Sequence, residues 1–212
     1  ESYSFKDFKF TKVEKWIEGI SYYCRILYKT NQSIIKLADL NCVKEWTEVE
    51  DYFYEIAENI VTLIPCSAND KNVKLNKEDG IFDFIDELDF LETDIEKIFK
   101  DNQEIFHKIK MVRNKHEHVA HKIWIGFAGS GSTSLVHVTF EYENNTYELS
   151  CEEFIKIVQS VNILFDKIIE KFRKFKEDYD NNNEEPHPYL EKYADIKFGI
   201  FNNIYCSNVL RD

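Results

Sequence analysis

One segment of the sequence concentrates positive charge and histidine. Residues 107–122 contain a single acid, Glu117, beside five lysines or arginines and four of the six histidines. Histidine exchanges protons near neutral pH, and arginine keeps a planar positive charge that binds anions. The whole chain has a formal net charge of -12, so it repels nucleic-acid phosphate at long range. Any contact with RNA must therefore use a local basic site such as this one.

The order of residues in this segment resembles a known motif. Arg113 is followed directly by Asn114 and, after three more residues, by His118. This matches the R-x(4–6)-H pattern of the HEPN superfamily, in which a polar residue, often asparagine, typically follows the arginine. That superfamily is an all-helical bundle whose motif lies near a helix end. The chain resembles it over residues 10–179, with residues 123–149 as an insertion.

The resemblance implies metal-independent RNA cleavage in a homodimer, where two facing motifs form one composite site. His118 would take the proton from a ribose 2′-hydroxyl or give one to the leaving oxygen, and the attack leaves a cyclic phosphate. Arg113 would hold the non-bridging phosphate oxygens, and Asn114 would orient the imidazole or a phosphate oxygen. The implied catalytic residues are therefore Arg113, Asn114 and His118. Neighbouring side chains that would contact RNA are Lys110, Lys115, His121 and Lys122.

The family context implied is a toxin or an antiviral defence effector, with an inhibitory or antitoxin partner. Two other interpretations stay open. A non-catalytic HEPN-like module would bind RNA or a protein and keep the motif only as a contact. A structural helical interaction protein would use the basic segment as an end cap, because lysines are stabilised at the negative end of the helix dipole. Arg113 could then pair with Glu117 at i+4.

No metal or cofactor is expected at this segment. A zinc-binding H-E-x-x-H motif fails by one residue, because Ala120 stands where the second histidine is needed after His116 and Glu117. The five cysteines are odd in number and widely spaced, and none forms a C-x-x-C pair. This argues against a disulfide framework and against a cysteine zinc site. It favours a reducing, cytoplasmic location. The sequence has no apolar run of membrane-spanning length and no signal-peptide pattern, so we expect no membrane contact.

The elements around the segment are mainly helical, as the scarcity of glycine (6) and proline (3) also indicates. Apolar spacing predicts a helical bundle. The region from residue 81 to His118 is one helix, or two that separate near Asp101 and Asn102. Residues 66–80 are polar and are predicted to be a loop. The other expected helices are residues 10–29, a short stretch 33–40, residues 43–64 and residues 151–179.

The hydrophobic period changes between residues 123 and 149, where alternation predicts a β-hairpin or a three-stranded meander. Ser150 and Glu153 have the spacing of a capping box for the next helix. A linker-like break follows at residues 181–186, before an aromatic tail, residues 187–212. We therefore expect one HEPN-like domain over residues 1–180. The linker and tail, residues 181–212, would pack on that bundle or on a partner.

Overall fold

The structure, a computed structural model, describes residues 5–38, 46–69, 72–78, 80–84, 89–118, 124–128, 135–142, 145–183 and 185. Within these ranges the chain forms five α-helices and five strands, so it has the mainly α fold that the sequence predicts. The helices are α1 (Phe5–Ala38), α2 (Trp46–Leu63), α3 (Asp89–Asp101), α4 (Gln103–His118) and α5 (Cys151–Asn182), and a 3-10 segment covers Gly80–Phe84. The strands are β1 (Cys66–Asn69), β2 (Asn72–Leu75), β3 (Trp124–Ala128), β4 (Leu135–Tyr142) and β5 (Asn145–Ser150).

The first helix is longer than the sequence predicts. Two helical stretches are expected, residues 10–29 and 33–40, whereas α1 runs unbroken from Phe5 to Ala38. The polar run between those stretches resembles a turn. Thr30 and Asn31 in this run are instead buried and donate side-chain hydrogen bonds within the molecule, as does the adjacent Ser33. Because these polar groups have partners in the helical conformation, the helix continues through them.

The core lies between the long helices, where α1 packs against α2 and α5. The ring centroids of Phe53 in α2 and Phe154 in α5 are 5.2 Å apart, and both side chains are almost fully buried. The apolar stripe predicted for α5 is confirmed, since all its members are buried: Phe154, Ile157, Val158, Val161, Leu164, Phe165, Ile168, Ile169 and Phe172. Helix α5 ends at Asn182, three residues later than the sequence indicates.

The region predicted as helical from residue 81 begins with the 3-10 segment Gly80–Phe84 rather than with an α-helix. From Asp89 to His118 it forms two α-helices that separate at Asn102. The backbone NH of Asn102 donates to the Phe99 carbonyl (3.2 Å), and its side-chain amide donates to the Ile98 carbonyl (2.8 Å). The Phe106 NH then donates to the Asn102 carbonyl (3.0 Å) and starts the next turn. The break at Asp101 and Asn102 that the sequence allowed is thus present, and it sets where α4 begins.

The prediction of a loop over residues 66–80 is wrong in its first part. Strands β1 and β2 form an antiparallel hairpin whose register runs from the Cys66–Leu75 pair to the Asn69–Asn72 pair. Within the hairpin, Cys66 of β1 and Val73 of β2 have buried side chains. Each strand is four residues long, so few apolar positions reveal its alternation. The hairpin packs against α4, and burial of Cys66 and Val73 offsets the polarity of the remaining residues.

The second sheet is the expected three-stranded meander, ordered β3-β4-β5 and antiparallel throughout. Val138, Phe140 and Leu149 are buried on the face toward the helices. The predicted capping box at the start of α5 is also confirmed. The Glu153 NH donates to Ser150 Oγ (3.2 Å), and the Ser150 NH donates to Glu153 Oε2 (2.9 Å). The sheet therefore delivers the chain directly into α5.

Candidate functional site

Helix α4 carries residues 107–118 of the basic segment that the sequence singles out. It packs against α2, the β1–β2 hairpin and the three-stranded sheet. Its buried apolar residues are Ile105, Phe106, Ile109, Met111 and Val112. Toward its C-terminal end, Lys110, Arg113 and Asn114 are half-buried. The apolar side of α4 thus fixes the helix, while these three polar side chains keep part of their surface in solvent.

Helical spacing brings the candidate residues into two neighbouring rows. Positions 110, 114 and 118 follow one another at four-residue intervals, so they share one side of α4. Arg113 lies three residues after Lys110, in the adjoining row. His118 is the last residue of α4, where the helix dipole favours positive charge. The side chain of His118 lies outside the described part of the chain.

The guanidinium of Arg113 binds the carboxylate of Glu58 on α2 through two contacts. Arg113 Nε donates to Glu58 Oε2 (2.9 Å), and a terminal nitrogen of Arg113 donates to Glu58 Oε1 (3.3 Å). The Arg113 side chain is 25% exposed and that of Glu58 is 52% exposed. A partly exposed ion pair of this kind contributes roughly 0–1 kcal/mol to stability. The sequence suggested Glu117 as a partner for Arg113, and the side chain of Glu117 lies outside the described residues. The described contact with Glu58 comes from another helix.

The thiol of Cys66, at the start of β1, interacts electrostatically with two cations of α4, Lys110 and Arg113. Burial raises the pKa of this thiol to about 11, while the positive charges of Lys110 and Arg113 oppose that rise. The thiol is therefore neutral at physiological pH. The result also places Lys110 and Arg113 in one electrostatic neighbourhood.

Lys108 belongs to the basic segment in sequence but serves a different contact. Its Nζ lies 2.7 Å from Glu153 Oε1 and 3.9 Å from Glu104 Oε1. Glu153 is also the acidic residue of the capping box on α5. Lys108 thus links α4 to the first turn of α5. Two described cations of the basic segment thus join α4 to other helices, Lys108 to α5 and Arg113 to α2.

The remaining candidates fall partly or wholly outside the described residues. Lys115 lies within α4, but its side chain is not described. His121 and Lys122 fall in the range 119–123, which is outside the described residues. His107 is half-buried on α4, with its ring centroid 5.9 Å from that of Tyr147. Its Nε2 is buried without a hydrogen-bond partner among the described groups, and this position makes it part of the contact between α4 and β5.

Among the side chains described, no three histidine, cysteine, aspartate or glutamate residues lie close enough to bind one metal ion together. No described helix combines the length and the apolar character needed to cross a bilayer.

Sequence reasoning missed Glu58. The chain contains 39 acidic residues, and nothing in the local spacing separates Glu58 from the others on the exposed side of α2. Arg113 and Glu58 are 55 residues apart, so their contact arises from the packing of α4 on α2. Only tertiary structure could identify this carboxylate as a partner of the motif arginine.

Comparison with known proteins gives no match. No family model, no curated protein and no solved structure matches the chain.

Proposed function

We propose that this chain is a metal-independent endoribonuclease of the HEPN type, with Arg113, Asn114 and His118 at its centre. The observation that supports this most directly is the two-contact binding of a carboxylate by Arg113. A guanidinium that binds a carboxylate through two parallel contacts has the geometry with which it also binds phosphate. Lys110 lies in the same electrostatic neighbourhood and adds a second positive charge.

The proposed reaction follows from the chemistry of these groups. The 2′-oxygen of a ribose attacks the adjacent phosphorus as its proton passes to a histidine. The bond from phosphorus to the 5′-oxygen then breaks, and that oxygen receives a proton from an acid. The products are a 2′,3′-cyclic phosphate and a 5′-hydroxyl. Arg113 stabilises the charge that develops on the non-bridging oxygens.

One histidine cannot be base and acid in the same step. We therefore propose a homodimer in which two copies of the α4 end face each other, so that one His118 acts as base and the other as acid. A two-fold arrangement would also bring two positive sites together. This helps RNA approach a chain whose net charge is -12.

The decisive experiment incubates purified protein with total RNA in excess chelator and maps the ends that form. We expect cleavage with cyclic-phosphate and 5′-hydroxyl ends, and its loss in Arg113→Ala and in His118→Ala. A matched control is Arg173→Ala, which removes an arginine from the exposed side of α5. Cleavage that survives both motif substitutions, or that requires added divalent metal, contradicts the proposal.

A second candidate is a non-catalytic HEPN-like module that binds RNA without cutting it. The same ion pair favours it, because Arg113 joins α4 to α2 and so has a structural role independent of chemistry. This candidate predicts that the wild-type protein retains RNA through Lys110 and Arg113 but leaves every phosphodiester intact. Size-exclusion chromatography of the protein with intact RNA, followed by end mapping of the bound RNA, separates the two candidates.

A further inference from the structure

Glu58 occupies the part of Arg113 that would bind RNA. Its two carboxylate oxygens contact the Nε side of the guanidinium at 2.9 and 3.3 Å. Carboxylates and phosphates use this same two-contact geometry. The two anions therefore cannot take these donor positions together, and a phosphate that binds them must first displace Glu58.

The surroundings make that displacement feasible. The Glu58 side chain is 52% exposed, so it can rotate toward solvent while the backbone of α2 stays in place. Arg113 is more enclosed, at 25% exposure, because α4 packs on α2 and β1. The guanidinium is thus the more enclosed partner and Glu58 the more exposed one. Withdrawal of Glu58 would also remove a negative charge from the neighbourhood of Lys110 and Arg113.

We propose that Glu58 is a built-in competitor for Arg113 that lowers the affinity of this site for RNA phosphate. The proposal rests on the proposed function, since it treats Arg113 as a phosphate-binding residue, and it concerns the regulation of that same site. Glu58 holds Arg113 in a defined orientation in the free protein. RNA binding exchanges this internal carboxylate for a backbone phosphate.

The test measures RNA binding separately from cleavage. The probe is a fluorescein-labelled single-stranded RNA whose riboses are all 2′-O-methylated, so it cannot be cut by 2′-hydroxyl attack. Glu58→Gln keeps the size of the side chain and removes its charge. We expect Glu58→Gln to bind the probe about two- to fivefold more tightly than wild type, the range that a partly exposed ion pair allows. The difference should shrink as salt screens the ion pair in the wild-type protein.

Asp51→Asn is the matched control for net charge. Asp51 is exposed on α2 seven residues before Glu58, about 10 Å away along the helix axis. Its substitution removes the same charge from the same helix, and binding should stay near the wild-type value. A second variant, Glu58→Ala, should reproduce the tighter binding of Glu58→Gln. The gain should vanish when Glu58→Gln is combined with Arg113→Ala, because no guanidinium is then released.

Three results would overturn the competitor proposal. These are equal or weaker binding by both Glu58 variants, an equal gain in Asp51→Asn, and a gain that persists without Arg113. Cleavage of an unmodified RNA by the same variants tests the proposed function independently. Tighter binding by the Glu58 variants with no cleavage supports the competitor proposal and contradicts the nuclease proposal. Cleavage that depends on Arg113, with no tighter binding by the Glu58 variants, supports the nuclease proposal and contradicts the competitor proposal.

Discussion

Asn31 of α1 and Asn162 of α5 exchange two hydrogen bonds in the interior of the helical core. Each side-chain amide nitrogen lies 3.2 Å from the other residue's Oδ1, and Asn31 also donates to the Leu27 carbonyl (2.8 Å). Both residues are buried, Asn31 fully and Asn162 to all but 6% of its surface. Because each amide satisfies the other, the pair fixes the axial position of α1 against α5 at little cost in buried polarity.

The pair can be tested by removing one partner and then both. Asn31→Leu removes the hydrogen bonds that α1 supplies to the buried Asn162 amide, so we expect a loss of about 1–3 kcal/mol in the free energy of unfolding. Asn31→Leu combined with Asn162→Leu replaces both polar groups, and we expect it to lose less than the sum of the single variants. Urea denaturation of all four proteins measures this coupling. Strict additivity would contradict the pairing.

The capping box of α5 gives a second prediction about stability. Ser150→Ala removes the acceptor for the Glu153 NH, so we expect a loss of about 1 kcal/mol in the free energy of unfolding. Ser160→Ala is the control, because Ser160 lies within α5 and donates only to a carbonyl of its own helix, that of Lys156. The comparison again uses urea denaturation. An equal effect of the two substitutions would show that the cap contributes nothing specific.

The sequence predicted the parts of this fold in which periodicity is long. The stripe of α5 extends over many turns, so its apolar spacing identifies both the helix and its buried side. The strands of the meander were also recognisable, because alternation continues through β4 and β5. The hairpin of β1 and β2 was missed, since each strand has four residues and only one that is described as buried, Cys66 in β1 and Val73 in β2.

Prediction from local sequence failed where a contact with a residue distant in the chain determines the structure. The sequence predicted a gap between two helical stretches at residues 30–32, yet Asn31 pairs with Asn162 of α5. The adjacent Ser33 donates to Glu55 of α2 (2.7 Å). The candidate site shows the same limit. The order of Arg113 and Asn114 is visible in the sequence, whereas the carboxylate of Glu58 reaches Arg113 only because α4 packs on α2.

Substitution of Arg113 should affect RNA cleavage much more than the stability of the fold. The ion pair with Glu58 is partly exposed, so Arg113→Ala should lower the free energy of unfolding by only about 1 kcal/mol or less. Under the proposed function the same substitution should remove RNA cleavage, because phosphate loses its charge stabiliser. Thermal unfolding and end mapping of digested RNA measure the two effects on one preparation. A loss of cleavage that merely follows unfolding would assign Arg113 a structural role alone.

The buried thiols predict how stability changes at alkaline pH. Burial raises the pKa of Cys24 from its ordinary value of 9.0 to about 12, and Cys66 and Cys151 are shifted in the same direction. Between those pH values the unfolded chain releases thiol protons that the folded chain retains. The thiols therefore leave the free energy of unfolding unchanged below about pH 9 and lower it above that pH. At pH 10 each such thiol should cost roughly 1 kcal/mol. Urea denaturation from pH 7 to 10.5 should therefore show a shallower decline in Cys24→Ala than in wild type, and identical slopes would contradict the assignment.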